Sequence, residues 1–179
     1  MAVTINGSSS VTINSGAVLG ITSGTLVPST SGTSIDFTSI PSWVKRITVM
    51  FNEVSTNGTS EVILQTGDSG GIETSGYIGA TAQIANATAT SVSNFSTGIR
   101  TDGATSAAAI RSGAITISLI SQGSNLWAFA GCIGRSDTTI SSFLGGTKAL
   151  TATLDRVRIT TILGVDTFDA GSINILYEG

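Results

Sequence analysis

Histidine is absent from this 179-residue chain, cysteine occurs once, and charged residues make up only 11% of it. Each shortage excludes something. Without an imidazole there is no Ser-His-Asp triad and no histidine acid or base near neutral pH. One cysteine and no histidine leave a zinc ion without ligands. Cys132 has no partner for an intrachain disulfide, and its apolar neighbours Ala130, Gly131, Ile133 and Gly134 suit a small buried hydrophobe. No apolar run approaches the roughly 18 residues of a membrane-spanning helix. Runs such as those at 62–64 and 127–131 cover a few positions each, so the positive mean hydropathy reflects Ala, Val and Ile inside a β fold, and no membrane partner is expected. The net charge is −3 and the eight Lys and Arg are scattered, which argues against nucleic acid. No basic stretch leads into an apolar one at the N-terminus, so no secretory signal is expected.

Against these shortages stand 26 Ser, 27 Thr and 22 Gly among short β-branched runs. Residues 44–54 alternate, with Ile47, Val49 and Phe51 on the face predicted to look inward. Shorter runs at 34–37, 61–66, 114–120, 126–132, 157–163 and 172–178 read as strands. The last places Ile173, Ile175 and Tyr177 on one face and suggests a strand lying centrally in a sheet. Residues 77–91 are Ala/Thr-rich and fit strand or open loop, with helix also open. Residues 148–155 read as an arm. Asn57-Gly58 and Gln122-Gly123-Ser124-Asn125 mark turns, the second closing a hairpin. Many short strands with turn signals every 8–12 residues predict an all-β sandwich or barrel.

Residues 1–33 read differently. Val3-Thr4-Ile5-Asn6 recurs as Val11-Thr12-Ile13-Asn14, separated by Gly/Ser spacers, and no aromatic residue occurs before Phe37. Such a segment cannot build a core alone. It is read as an N-terminal β arm that docks on another surface through Val3, Ile5, Val11 and Ile13. Residues 34–179 are read as the sandwich.

Several strings resemble chemistry. Gly67-Asp68-Ser69-Gly70-Gly71 spells the surroundings of a trypsin-like nucleophile, but the base that mechanism requires is missing, and a Gly/Asp/Ser turn explains it. Two carboxylate pairs, Asp68 with Glu73 and Asp166 with Asp169, suit a glycoside-cleaving or Ca²⁺ site in principle. Neither has the oxygen-ligand density of an EF-hand loop, and turn capping explains both. No phosphate-binding GxxxxGK[ST] loop occurs, and no cofactor or metal is expected. Lys45-Arg46 and Arg156-Val157-Arg158 lead strands with cations, as edge protection, strand-face ion pairs or an intersubunit ring would require. Trp43 and Trp127 offer indole faces for stacking on a sugar, with core packing as the alternative.

A family resemblance rests on longer strings. The opening MAVTINGSSSVTIN is similar to the start of short virion proteins of tailed phages. Ile35-Asp36-Phe37-Thr38-Ser39-Ile40-Pro41, Val44-Lys45-Arg46-Ile47-Thr48-Val49-Met50-Phe51-Asn52, Asp155-Arg156-Val157-Arg158-Ile159-Thr160 and the closing Phe168-Asp169-Ala170-Gly171-Ser172-Ile173-Asn174-Ile175-Leu176-Tyr177-Glu178 resemble tail-fibre and capsid-decoration (head-fibre) modules. The resemblance implies a jelly-roll-like homotrimer located on the virion, made in a host cytoplasm, with other capsid or tail proteins as partners. It transfers no functional residue. The resulting expectation is a non-enzymatic structural protein. A receptor-recognition tip for host surface glycans is the alternative, and a polysaccharide depolymerase using Asp166, Asp169 or Glu73 the remote one.

Overall fold

The computed structural model describes residues 12–13, 16–17, 20–85 and 88–179. No helix occurs among them. Two short strands, β1 (Thr12–Ile13) and β2 (Gly16–Ala17), pair with each other. Then follow β3 (Thr22–Ser23), β4 (Val27–Pro28), β5 (Ser34–Phe37), β6 (Arg46–Thr56), β7 (Val62–Asp68), β8 (Gly71–Ile72), β9 (Tyr77–Ala85) and β10 (Thr88–Asn94). The chain continues through β11 (Ile99–Arg100), β12 (Arg111–Ser121), β13 (Leu126–Arg135), β14 (Ile140–Ala149), β15 (Arg156–Thr161) and β16 (Phe168–Glu178).

Two antiparallel sheets form the sandwich. The nine-stranded sheet has the order β10-β9-β14-β13-β12-β6-β16-β3, with β4 also paired to β16. The five-stranded sheet has the order β11-β7-β15-β5, with β8 on β7. One apolar cluster fills the space between them. Ile47, Val49, Ile117, Phe129 and Ile175 enter it from the larger sheet, and Leu64, Val157 and Ile159 from the smaller. Burying each such side chain contributes about 1.5–3 kcal/mol. The period-two alternation in β6 and β12 is the direct cause, since one face of each strand is apolar and the other is not.

The jelly-roll character lies in how two pairs of consecutive strands divide between the sheets. β6 pairs with β16 in the larger sheet, while the next strand, β7, pairs in the smaller sheet with β15, the strand before β16. A long antiparallel ribbon is thus folded across both layers. The Asn57-Gly58 turn carries the chain from one sheet to the other. It is tied down by Asn57 N–H donating to Thr167 O at 2.9 Å and Thr167 N–H donating to Asn57 Oδ1 at 2.9 Å.

The expected inward set of β6 holds through Phe51 and then breaks. Glu53 adopts φ 52°, the ladder shifts register against both neighbours, and Val54 takes the next core position at 0% exposure. This bulge has a matching glycine. Gly171 (φ 90°) lies so close that a Cβ there would stand 2.4 Å from Glu53 O and 2.5 Å from Asn52 O.

One strand is added to those read from the sequence, and two readings are corrected. Residues 140–149, where Gly145-Gly146 interrupts the apolar alternation, form β14, a full ladder member between β13 and β9. Gly146 belongs there because a Cβ would meet Ile78 O at 2.4 Å and the Phe95 ring at 2.9 Å. The expected arm at 148–155 accordingly starts inside β14, whose last residues are Lys148 and Ala149. Residues 20–33 belong to the sandwich instead of to a separate arm. β3 and β4 pair with β16, Gly24 N–H donates to Ile175 O at 2.7 Å, and Ser29 N–H donates to Gly171 O at 2.9 Å. As a result both edges of β16 are paired, one to β6 and the other to this N-terminal ribbon. Of the docking positions, Val3, Ile5 and Val11 lie outside the described residues, and Ile13 lies in β1 opposite Gly16.

Candidate functional site

The densest group of chemistry-bearing side chains sits around the β7–β8 turn, where the GDSGG string falls. Gly67 and Asp68 close β7, and Gly71 opens β8. Gly67 is required there, since a Cβ would stand 2.1 Å from Gly71 O. Asp68 Oδ1 accepts Gly70 N–H at 2.7 Å, an Asx-type turn. The string is therefore a hairpin turn.

The Asp68–Glu73 pair is brought together through Thr151 on the segment after β14. Thr151 Oγ1 lies 2.7 Å from Asp68 Oδ2 and 2.9 Å from Glu73 Oε1, and Thr151 N–H donates to Glu73 Oε1 at 2.7 Å. Lys148 completes the cluster. Its ammonium, on a residue 5% exposed, pairs with Glu73 and stands 5.6 Å above the Tyr77 ring. The Tyr77 hydroxyl accepts Thr66 N–H at 2.8 Å and lies 2.9 Å from Glu73 O. Hydrogen bonds from Thr151 and from Gly70 N–H hold the Asp68 carboxyl below its ordinary range. Burial pushes Glu73 up, but its bonds from Lys148 and Thr151 outweigh that and hold it low as well. Burial raises Tyr77. Both carboxylates are held ionised by donors already engaged, so the arrangement clamps segment to hairpin.

Asp166 and Asp169 have separate tasks. Asp166 Oδ2 accepts Ser60 N–H at 2.7 Å and lies against Gly58, while Asp169 accepts the Ser55 hydroxyl. The first caps the sheet-crossing turn and the second ties β16 to β6.

The tryptophans do not form a common face. Trp127 is 3% exposed in the core, its indole N–H without a hydrogen-bond partner, so neither ring face is open to a sugar. Trp43 is half-buried and packs against the same core. A polar groove of about 320 Å³, absent from the sequence reading, runs over the smaller sheet past Asp36, Thr38, Thr74, Arg156 and Arg158. Its arginines are already forked onto carboxylates: Arg158 onto Asp36 at 2.6 and 2.8 Å, Arg156 onto Asp155 at 2.6 and 3.1 Å. The same holds across the protein. Seven of the eight cations contact a carboxylate of the same chain, and Lys45 donates to Gln122 Oε1 at 3.1 Å.

The charges are spent within the chain, and one broad surface has none. On the outer face of the larger sheet, cross-strand rows run Ala82–Phe143–Cys132–Ala114–Met50 and Ala80–Gly145–Ala130–Thr116–Thr48. Ile78 and Ile84 flank them on β9 and are 71% and 46% exposed; Phe143 is 48% exposed. Across β9, β14, β13 and β12 no described outward-facing ladder residue is charged. Beyond the strip, Arg46 on β6 and Glu178 on β16 pair with each other, and Glu53 stands exposed at the β6 bulge, its N–H donating to the Ser112 hydroxyl at 3.0 Å. Cys132, expected to be buried, is exposed near the middle of the strip. Sequence reading missed the strip because β14 was missed, and without it Phe143, Cys132 and Ala82 do not align.

No protein-family model matches the chain, and no curated protein matches it. Among solved structures, a marine PL-14 alginate lyase from Aplysia kurodai is similar with a TM-score of 0.40 and 10% identity, covering 77% of this chain and 70% of that one.

Proposed function

We propose that this chain is a non-enzymatic structural protein of a tailed-phage virion, a self-associating β-sandwich that serves as a capsid-decoration or fibre module. The observation that supports this most is the uncharged outer face of the larger sheet. A sheet face that meets water ordinarily carries polar side chains, giving clean alternation along each strand. Here the outward positions of four adjacent strands are Ala, Gly, Ser, Thr, Cys, Leu, Ile and Phe. An uncharged face that leaves Ile78, Ile84 and Phe143 exposed suits an interaction site. The intrachain pairing of seven cations also suits a protein that holds shape by internal pins. The location on a virion rests on the sequence resemblance alone.

Mass spectrometry of purified virions from the phage that encodes the chain tests the location: its peptides are expected in stoichiometric amount, and their absence overturns the assignment. Light scattering after size exclusion tests the association. A homotrimer has three times the chain mass of 18.0 kDa, and a protein that stays at 18.0 kDa at micromolar concentration overturns the self-associating reading.

A further inference from the structure

We propose that the polar groove over β15 binds a neutral polyhydroxylated ligand, a mono- or disaccharide, through hydrogen bonds to two guanidinium–carboxylate forks. This goes beyond the structural role above and does not rest on self-association. The floor is the outer face of β15, where Arg156 and Arg158 stand on the same side of the strand. One wall is Asp36 on β5 with Thr38 just after it; the other is the β7–β8 hairpin, with Gly71, Ile72 and Thr74. The hairpin folds close over the sheet because Gly67 has no side chain, a Cβ there standing 2.1 Å from Gly71 O. Gly71 keeps the space beside it open. Its φ of 135° favours glycine, and a Cβ on it would point into open space. The groove holds about 320 Å³, at the small end of ligand pockets.

The groups left over define the ligand. A guanidinium carries five N–H donors. Arg158 spends Nε and Nη2 on Asp36, and Arg156 spends the same two atoms on Asp155. The Nη1 donors of both, and the hydroxyls of Thr38 and Thr74, bond to none of the described residues. Carboxylate oxygens with lone pairs to spare lie beside them. Donors and acceptors therefore stand side by side, as neighbouring hydroxyls on a sugar ring require. Charge sets the neutrality. Two guanidiniums meet three carboxylates, because Asp155, Asp68 and Asp36 all act on Arg156. An anion such as a uronate or a phosphate meets a surround already in negative excess, and a cation meets two guanidiniums seated on the carboxylates it needs. A peptide strand finds no open ladder, since β15 is paired to β5 on one side and to β7 on the other. A nucleobase finds no aromatic ring in the lining. Without a ring to stack on, hydrogen bonds carry the contact, and a Kd of about 1 mM is expected.

The isotope-labelled full-length chain is titrated with the methyl glycosides of glucose, galactose and mannose and with N-acetylglucosamine. Glucuronate and inorganic sulfate serve as anionic comparisons. Backbone amide and arginine Nε–H NMR signals are followed. A saturable shift confined to the groove residues is expected for at least one neutral sugar, with weaker or no response to the anions. Thr38→Val and Thr74→Val remove exposed hydroxyls and keep the shape; each is expected to weaken binding about 2- to 10-fold. Arg158→Lys keeps the charge and loses the fork, and is expected to weaken it more than about 10-fold. Leu163→Asp, 71% exposed and outside the groove, is expected to bind like the wild type. No saturable shift with any of these sugars overturns the proposal. So does a shift centred on residues outside the groove, or unchanged binding by both threonine variants. Tighter binding of glucuronate or sulfate overturns it in favour of an anion site. Should Arg158→Lys fail to fold, the threonine variants decide.

Discussion

The buried pair Arg111–Asp102 makes a sharp test of how this sandwich is held together. Arg111 is 1% and Asp102 0% exposed, and Arg111 Nε stands 3.0 Å from Asp102 Oδ2. The contact lacks hydrogen-bond alignment, and neither Asp102 oxygen has a hydrogen-bond partner. The Arg111 guanidinium adds one bond, to Ala109 O at 3.2 Å. A buried pair repays the desolvation of two ions only when the remaining donors and acceptors are satisfied. Here the acceptor side is poor, so the pair is expected to contribute little net stability while being severe to break. Arg111→Met leaves an unpaired carboxylate at 0% exposure and should cost about 3–5 kcal/mol. Asp102→Leu strands the guanidinium and should cost a similar amount. The double replacement removes both charges into an apolar surround and should return to wild-type stability within about 1 kcal/mol, or exceed it. Urea unfolding monitored by tryptophan fluorescence, extrapolated linearly, measures all three. Single variants that each lose under 1 kcal/mol, or a double variant as unstable as the sum of the singles, would refute the reasoning.

Acid should loosen the Asp68–Glu73–Thr151–Lys148 clamp. Both carboxyls are held below their unfolded values, so the stability they supply is present above about pH 4 and is lost as pH falls through their folded values. Thermal melts from pH 7 down to pH 2 should show this decline, and Glu73→Gln should flatten it; an equally steep decline in that variant would remove the clamp as its cause. Gly171→Ala forces a Cβ against the Glu53 bulge at φ 90°, and should cost more than about 1 kcal/mol in urea unfolding; no measurable loss would mean that the bulge relaxes freely. Ile117→Ala, at 0% exposure in the centre of β12, should cost about 2–5 kcal/mol, and a loss below 1 would place it outside the rigid core.

Strand identity was largely legible because it depends on neighbours in sequence. The alternation of Ile47, Val49 and Phe51, of Ile115 and Ile117, and of Ile173 and Ile175 follows from the two-residue period of a strand, and all seven are buried. The turn character of Asn57-Gly58 and of GDSGG followed equally from local backbone preference. So did the weakness of GDSGG as chemistry, since a missing residue type is visible without a fold.

What only the tertiary structure decided is what lies beside what. Asp68 and Glu73 meet because Thr151, 78 positions beyond Glu73 in the chain, lies between them. The N-terminal residues 20–33 cover β16 because backbone hydrogen bonds, which carry no side-chain signature, join them. β14 escaped notice because Gly145 and Gly146 look like a turn locally, yet the packing of Ile78 and Phe95 against Gly146 requires a residue without a side chain. Once β14 is in place, Phe143, Cys132, Ala130 and Ala82 become one surface. Period and propensity are properties of adjacent residues and can be read along the chain. A surface is a property of register between strands far apart in sequence, and register is set by the packing of the whole sandwich.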